Sequence, residues 1–144
     1  FYLTIIYDSL INMDISSIII ECDIDTIYNF MSTIEKINLW SMGIEWDIET
    51  NNNIIQGIST YDESISYLKL VKNYKIKKID YWIGKEMDNL SPRIYARITP
   101  TGDKNKNTLM LVAFRTDDMD NERWNHLKEL HQLELKKVKE LLSY

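Results

Sequence analysis

The residue types best suited to chemistry are His131 and Glu134, in residues 125–135 (NHLKELHQLEL). At about 100° per residue, a helix here gathers Trp124, Leu127, Leu130, His131, Glu134 and Leu135 into one broad sector, continued by Val138, Leu141 and Leu142. Over a solid core, leucine would serve throughout, because an ionised carboxylate in a dry interior is costly. Two readings stay open. In one, the pair faces a wet or ligand-filled cavity. His131 then serves as acid or base, with Glu134, its neighbour three residues on, or a tyrosine as partner. In the other, Glu134 sits at the stripe's edge and reaches water, and His131 packs with one backbone hydrogen bond. A His-x-x-Glu pair can also ligate a metal. His126 projects elsewhere on the helical wheel, so no metal and no cofactor is expected.

Aromatic side chains are the second candidate set. Trp46, Tyr61, Tyr67, Tyr74, Tyr81, Trp82 and Tyr95 fall on segments that read as strands. Trp40 closes a short helix. Tyrosine hydroxyls could orient a ligand's polar end while the rings supply apolar wall; ordinary sheet packing explains the same pattern. Ile79, Tyr81 and Ile83 read as inward. Over residues 93–99 the face is ambiguous: either Tyr95 and Arg97 or Ile94, Ala96 and Ile98 point in. An inward Arg97 would be the natural partner of an anionic ligand group or of Glu134. The candidate ligand-binding residues are thus Trp40, Trp46, Tyr61, Tyr67, Tyr81 and Tyr95, together with Arg97, Trp124, Leu127, His131 and Glu134.

The elements that must position them follow from local pattern. Residues 16–22 are β-branched and short, a strand. Ile24, Ile27, Tyr28 and Met31 share a helix face, and Asp23 is suited to cap it. A second short helix covers residues 34–40, and Ser41-Met42-Gly43 ends it. Short alternating runs at 44–48, 54–61, 65–72, 76–83, 93–99 and 108–115 then imply an antiparallel meander. Residues 51–53 (NNN) and 100–105 (PTGDKN) are turns. The final helix spans 122–142, roughly 30 Å. Its start is acidic and its end basic, as the helix dipole favours. That dipole chemistry accounts for the 117–122 carboxylates, which lack the spaced loop of a calcium site.

The chain has 144 residues, 44% hydrophobic and 27% charged, the balance of one soluble domain covering 1–144. Net charge is −5. Residues 1–68 hold eleven Asp/Glu against Lys36 alone, and residues 69–144 hold sixteen Lys/Arg against eleven Asp/Glu. The two halves are expected to interleave. Lys69, Lys72, Lys75, Lys77 and Lys78 cluster among tyrosines, but the overall acidity argues against nucleic acid, and lysines also protect sheet edges. One cysteine, Cys22, excludes an internal disulfide and suits a reducing, cytoplasmic compartment. No run is long enough to span a membrane. The chain does not open on methionine and Met13 precedes the first strand, so residues 1–12 read as a loose extension or an ill-placed start.

The order of strand, two short helices, meander and long C-terminal helix resembles the START/Bet v 1-like superfamily, also called SRPBCC or polyketide cyclase/dehydrase-type proteins. Residues 21–31 (ECDIDTIYNFM), Trp40, and residues 97–102 (RITPTG) with the strand after them carry that resemblance, over about residues 14–142. It implies an α+β helix-grip fold: a curved antiparallel sheet wrapped around the C-terminal helix, with a cavity between them. The function expected is binding of an apolar or amphipathic small molecule, such as a lipid, quinone or polyketide, by a monomer or weak homodimer. The alternatives are a cyclase/dehydratase-like enzyme using His131, or a co-chaperone-like interaction module using the lysine-rich strand face. The family has no universal catalytic motif to carry over.

Overall fold

The computed structural model describes residues 12–49 and 53–143. The expected extension, residues 1–12, lies outside the described residues except for Asn12, and so does the 51–53 turn except for Asn53. Asn53, at the end of that turn, takes φ 58°, which asparagine tolerates better than most residues.

Strand β1 (Met13–Ile20) leads into α1 (Ile24–Ser32), a 3₁₀ turn (Ile34–Lys36) and the single helical turn α2 (Ile37–Trp40). Strands β2 (Ile44–Asp47), β3 (Ile54–Ser59), β4 (Ile65–Asn73), β5 (Lys78–Gly84), β6 (Ser91–Pro100) and β7 (Asn107–Phe114) follow. The chain then runs into the 22-residue α3 (Asn121–Leu142). Asp23 caps α1 as expected, accepting from the Thr26 amide at 3.2 Å. Asp120 caps α3, accepting from the Arg123 amide at 2.8 Å.

All seven strands form one antiparallel sheet in the order β1-β7-β6-β5-β4-β3-β2. β1 pairs with β7, last in sequence, along its whole length, from Met13 opposite Phe114 to Ile20 opposite Asn107. That partner explains why β1 starts three residues before the expected position: Met13, Asp14 and Ile15 are extended because β7 offers them bonds. The two halves share one sheet without alternating: β7, β6 and β5 of the basic half lie together, with β1 of the acidic half on one side and β3 and β2 on the other. β5 starts two residues late because residues 74–77 turn, with Lys77 at φ 53°. Tyr61 and Tyr74 lie in turns, not on strands.

The curved sheet grips α3, which packs on β1 and β7 and touches α2, while α1 lies across β5 and β6. This is the helix-grip architecture. The main core joins Ile20, Ile27 and Met31 to Ile79, Leu109, Leu135 and Val138. A smaller cluster of Ala113, Met119 and Trp124 sits at the other end of α3. The edge strand β2 is latched by one side chain: the Asn38 amide donates to the Trp46 carbonyl (2.7 Å) and accepts from the Trp46 amide (3.0 Å), substituting for a neighbouring strand.

Candidate functional site

Between those two clusters, under the N-terminal half of α3, lies a cavity of about 110 Å³. A water occupies about 30 Å³, and an apolar hole of about 150 Å³ holds benzene. The space therefore suits one ring or a short chain, less than the several hundred Å³ of a drug-sized pocket.

Helix α3 supplies the roof through Trp124, Leu127, Leu130, His131 and Glu134. Glu134 is 5% exposed, so it does not reach water at the edge of the stripe. Its Oε2 accepts from the Met42 amide at 2.8 Å, just past α2. That loop turns at Gly43 (φ 90°), and a Cβ there would sit 3.1 Å from Leu130 Cδ1. Burial pushes the Glu134 carboxyl up to about 8, against smaller opposing pulls from the Met42 amide and the Ser41 hydroxyl. Glu134 is therefore mostly neutral at pH 7. His131 is also 5% exposed, and its Nδ1 lies 3.5 Å from Asp14 Oδ2 on β1. Burial lowers its pKa, and Asp14 opposes that shift. Each member of the expected pair thus has its own partner: β1 for His131 and the α2–β2 loop for Glu134.

The wall is aromatic. Trp40 and Tyr81 meet edge to face, ring centres 5.7 Å apart. The Tyr81 hydroxyl donates to the Met31 carbonyl at 2.7 Å, so it is engaged in tying α1 to the sheet. Trp46 lies over Gly57, its register partner on β3, where a Cβ would fall 2.5 Å from the ring. Glycine there is what lets the indole lie flat. Tyr61 stands at the mouth, half exposed, with the Arg123 guanidinium 4.7 Å above its ring and His126 beside it.

Eight of the eleven candidates, Trp40, Trp46, Tyr61, Tyr81, Trp124, Leu127, His131 and Glu134, line this cavity. Three do not. Tyr67 alternates with the buried Ser66 and Leu68 and takes the outer face of β4. On β6, Ala96 and Ile98 are buried, so Tyr95 and Arg97 point outward. Tyr95 packs near Phe114 and under Lys78, and Arg97 is exposed, not a partner of Glu134. His126 is exposed at the mouth, away from the buried His131 and Glu134.

The residue that sequence reading missed is Arg93. It precedes the inward Ile94, so strict alternation would send it out with Tyr95. The β5–β6 register slips, however: Tyr81 faces Ile94 while Trp82 faces Pro92, which leaves Arg93 as the extra residue of a β-bulge. A bulge resets alternation and re-aims a side chain, and both Arg93 and Ile94 line the cavity. Pro92, which cannot donate to a ladder, is the one sequence signal for irregularity here. Among the described residues, no group of His, Cys, Asp and Glu is arranged to hold a metal. Among the described residues, no helix is long and apolar enough to cross a membrane.

No protein family and no curated protein matches the sequence. Solved structures do. The protein XoxI from Bacillus cereus superposes with a TM-score of 0.69 at 14% identity, over 92% of this chain and 96% of that one. The di-domain ARO/CYC BexL of the BE-7585A biosynthetic pathway gives 0.65 at 12% identity, covering 89% of this chain and 45% of its own. A START superfamily protein from Mycobacterium smegmatis gives 0.56 at 14% identity, over 90% and 98%. At such identities the shared property is the fold.

Proposed function

From its START/Bet v 1-like helix-grip fold, we propose that this protein binds a small apolar or amphipathic molecule in the cavity between α3 and the sheet. The observation that supports this most is that α3 places a buried carboxyl and imidazole over a cavity walled by Trp40, Trp46 and Tyr81. The cavity's volume favours a single ring or a short chain, the small end of the lipid, quinone and polyketide range. The neighbours include an ARO/CYC protein and a START superfamily protein, which is in keeping with a ligand-holding fold. A buried, unpaired Cys22 suits a reducing, cytoplasmic setting and a monomer or weak homodimer. Native mass spectrometry of the purified protein tests the reading. A co-purified small molecule is expected with the wild type and should be lost when Leu127→Trp fills the mouth; a bare protein that also takes up no added ring-sized compound would end it.

The Asp14–His131 pair favours a second reading, acid/base catalysis of the cyclase/dehydratase kind. A carboxylate 3.5 Å from Nδ1 orients the imidazole, as in many enzymes that use histidine as a base. His131→Ala separates the two. A binder keeps its affinity, whereas an enzyme loses turnover far more than binding. The lysine-rich interaction face is the weaker alternative, because Lys77 and Lys78 lie over the rings of Tyr74 and Tyr95, where they already have partners.

A further inference from the structure

Resting on the cavity-binding reading, we propose that the ligand is a compact organic acid, a carboxylate on one ring or a short chain, whose acid group is held by Arg93. Three cations line the cavity and its mouth: Lys85, Arg93 and Arg123. Two are committed. The Arg123 guanidinium lies 3.0 Å from Asp62 and over Tyr61, and the Lys85 ammonium donates to the Ser64 hydroxyl at 2.8 Å. Arg93 has no carboxylate within 4 Å among the described residues, and its guanidinium donates there only to the thioether of Met119, 3.9 Å from Nη2. Its Nε is fully buried with no protein partner among those residues. Asp118, the opposite charge that acts on it, is turned to the Thr116 hydroxyl.

A partly buried guanidinium with its Nε–H shut off from water is costly unless that group finds an acceptor, and a carboxylate matches its fork with two parallel bonds. Arg93 has a bulge of its own to aim it inward. Of the remaining polar lining, the Asp118 carboxylate opposes an anion, and two other groups favour one. The Trp40 indole N–H is a second buried donor without a protein partner among the described residues. Glu134 is mostly neutral at pH 7, so it adds no negative charge to repel an anion and has an O–H to donate. Against the chain's net −5, the lining sets three cations, Lys85, Arg93 and Arg123, against one ionised carboxylate, Asp118. The apolar space beyond, between Trp40 and Leu111, limits the rest of the ligand to about a ring's size.

The test is a matched pair, benzoate and its near-isosteric amide benzamide, titrated by calorimetry at pH 7 into the wild type, Arg93→Lys and Arg93→Gln. A charge-assisted bond predicts that the acid binds at least about tenfold tighter than the amide in the wild type. That preference should be partly kept in Arg93→Lys and fall to within about twofold in Arg93→Gln. The amide's affinity should stay unchanged throughout, which certifies an intact cavity even if one variant folds poorly. Equal binding of acid and amide by the wild type, or a preference that survives Arg93→Gln, overturns this inference and leaves the cavity reading standing. Binding of neither compound overturns both.

Discussion

The two halves of α3 do different things with the same stripe. In the C-terminal half, Leu135 and Val138 are at most 2% exposed and interlock with the core around Ile20 and Leu109. In the N-terminal half, Trp124, Leu127, Leu130, His131 and Glu134 roof a cavity. Leu135 follows Glu134 directly in the chain, yet one packs solidly and the other borders open space. What changes is the layer beneath: α1 and the middle of the sheet fill one end, and the bulge at Arg93 with the loop at Gly43 hold the other open. Amphipathicity alone does not distinguish a helix that seals a core from one that covers a hole.

The largest effect expected is in the filled half. Leu135→Ala should cost about 2–5 kcal/mol in urea denaturation, because transfer and cavity terms add in a close-packed interior. Leu130→Ala, on a partly exposed side chain facing space that already exists, should cost less than half as much. Equal costs would erase the distinction between the halves.

Next in size is the pH response of Glu134. Its carboxyl is raised to about 8 in the folded state against an ordinary value of 4.5. Between those values the folded state holds a proton that the unfolded state has lost, so stability falls as pH rises from about 4.5 to about 8 and levels off above. The full effect is on the order of a few kcal/mol. Glu134→Gln keeps an acceptor for the Met42 amide and removes the ionisation, so its stability relative to the wild type should improve steadily across that window. A constant difference between pH 5 and pH 8 would show that Glu134 is already ionised and the cavity wetter than described.

The smallest effect is a spectroscopic one. The His131 pKa is lowered by burial and partly restored by Asp14. Asp14→Asn should therefore lower it further in an NMR titration of the imidazole. A histidine that titrates near 6.5 and ignores that substitution would place the ring in solvent, contrary to its burial.

Much of this was legible in residues 12–143. Asp23 as a cap, the breaks at Gly43 and Gly102, and the 3.6-residue stripe of α3 are local effects, and each is where the spacing put it. So is the order of elements that marks a helix grip. The inward tyrosine on β5 was readable because Ile79 and Ile83 flank Tyr81 with period two. Tyr67, Tyr95 and Arg97 were not. Their strands carry apolar residues at both parities, so the pattern does not choose a face until neighbouring layers do.

The sequence by itself determined which segments coil and extend, where they stop, and which helix carries polar groups inside an apolar stripe. These depend on backbone preference and side-chain periodicity within a few residues. The tertiary structure alone decided that β1 closes on β7, that the β5–β6 register slips by one residue, and that Arg93 thereby turns inward. Strand partners and bulges depend on hydrogen bonds between residues far apart in the chain. Their consequence, an arginine facing a cavity beneath a neutral glutamate, is a property of the assembled layers.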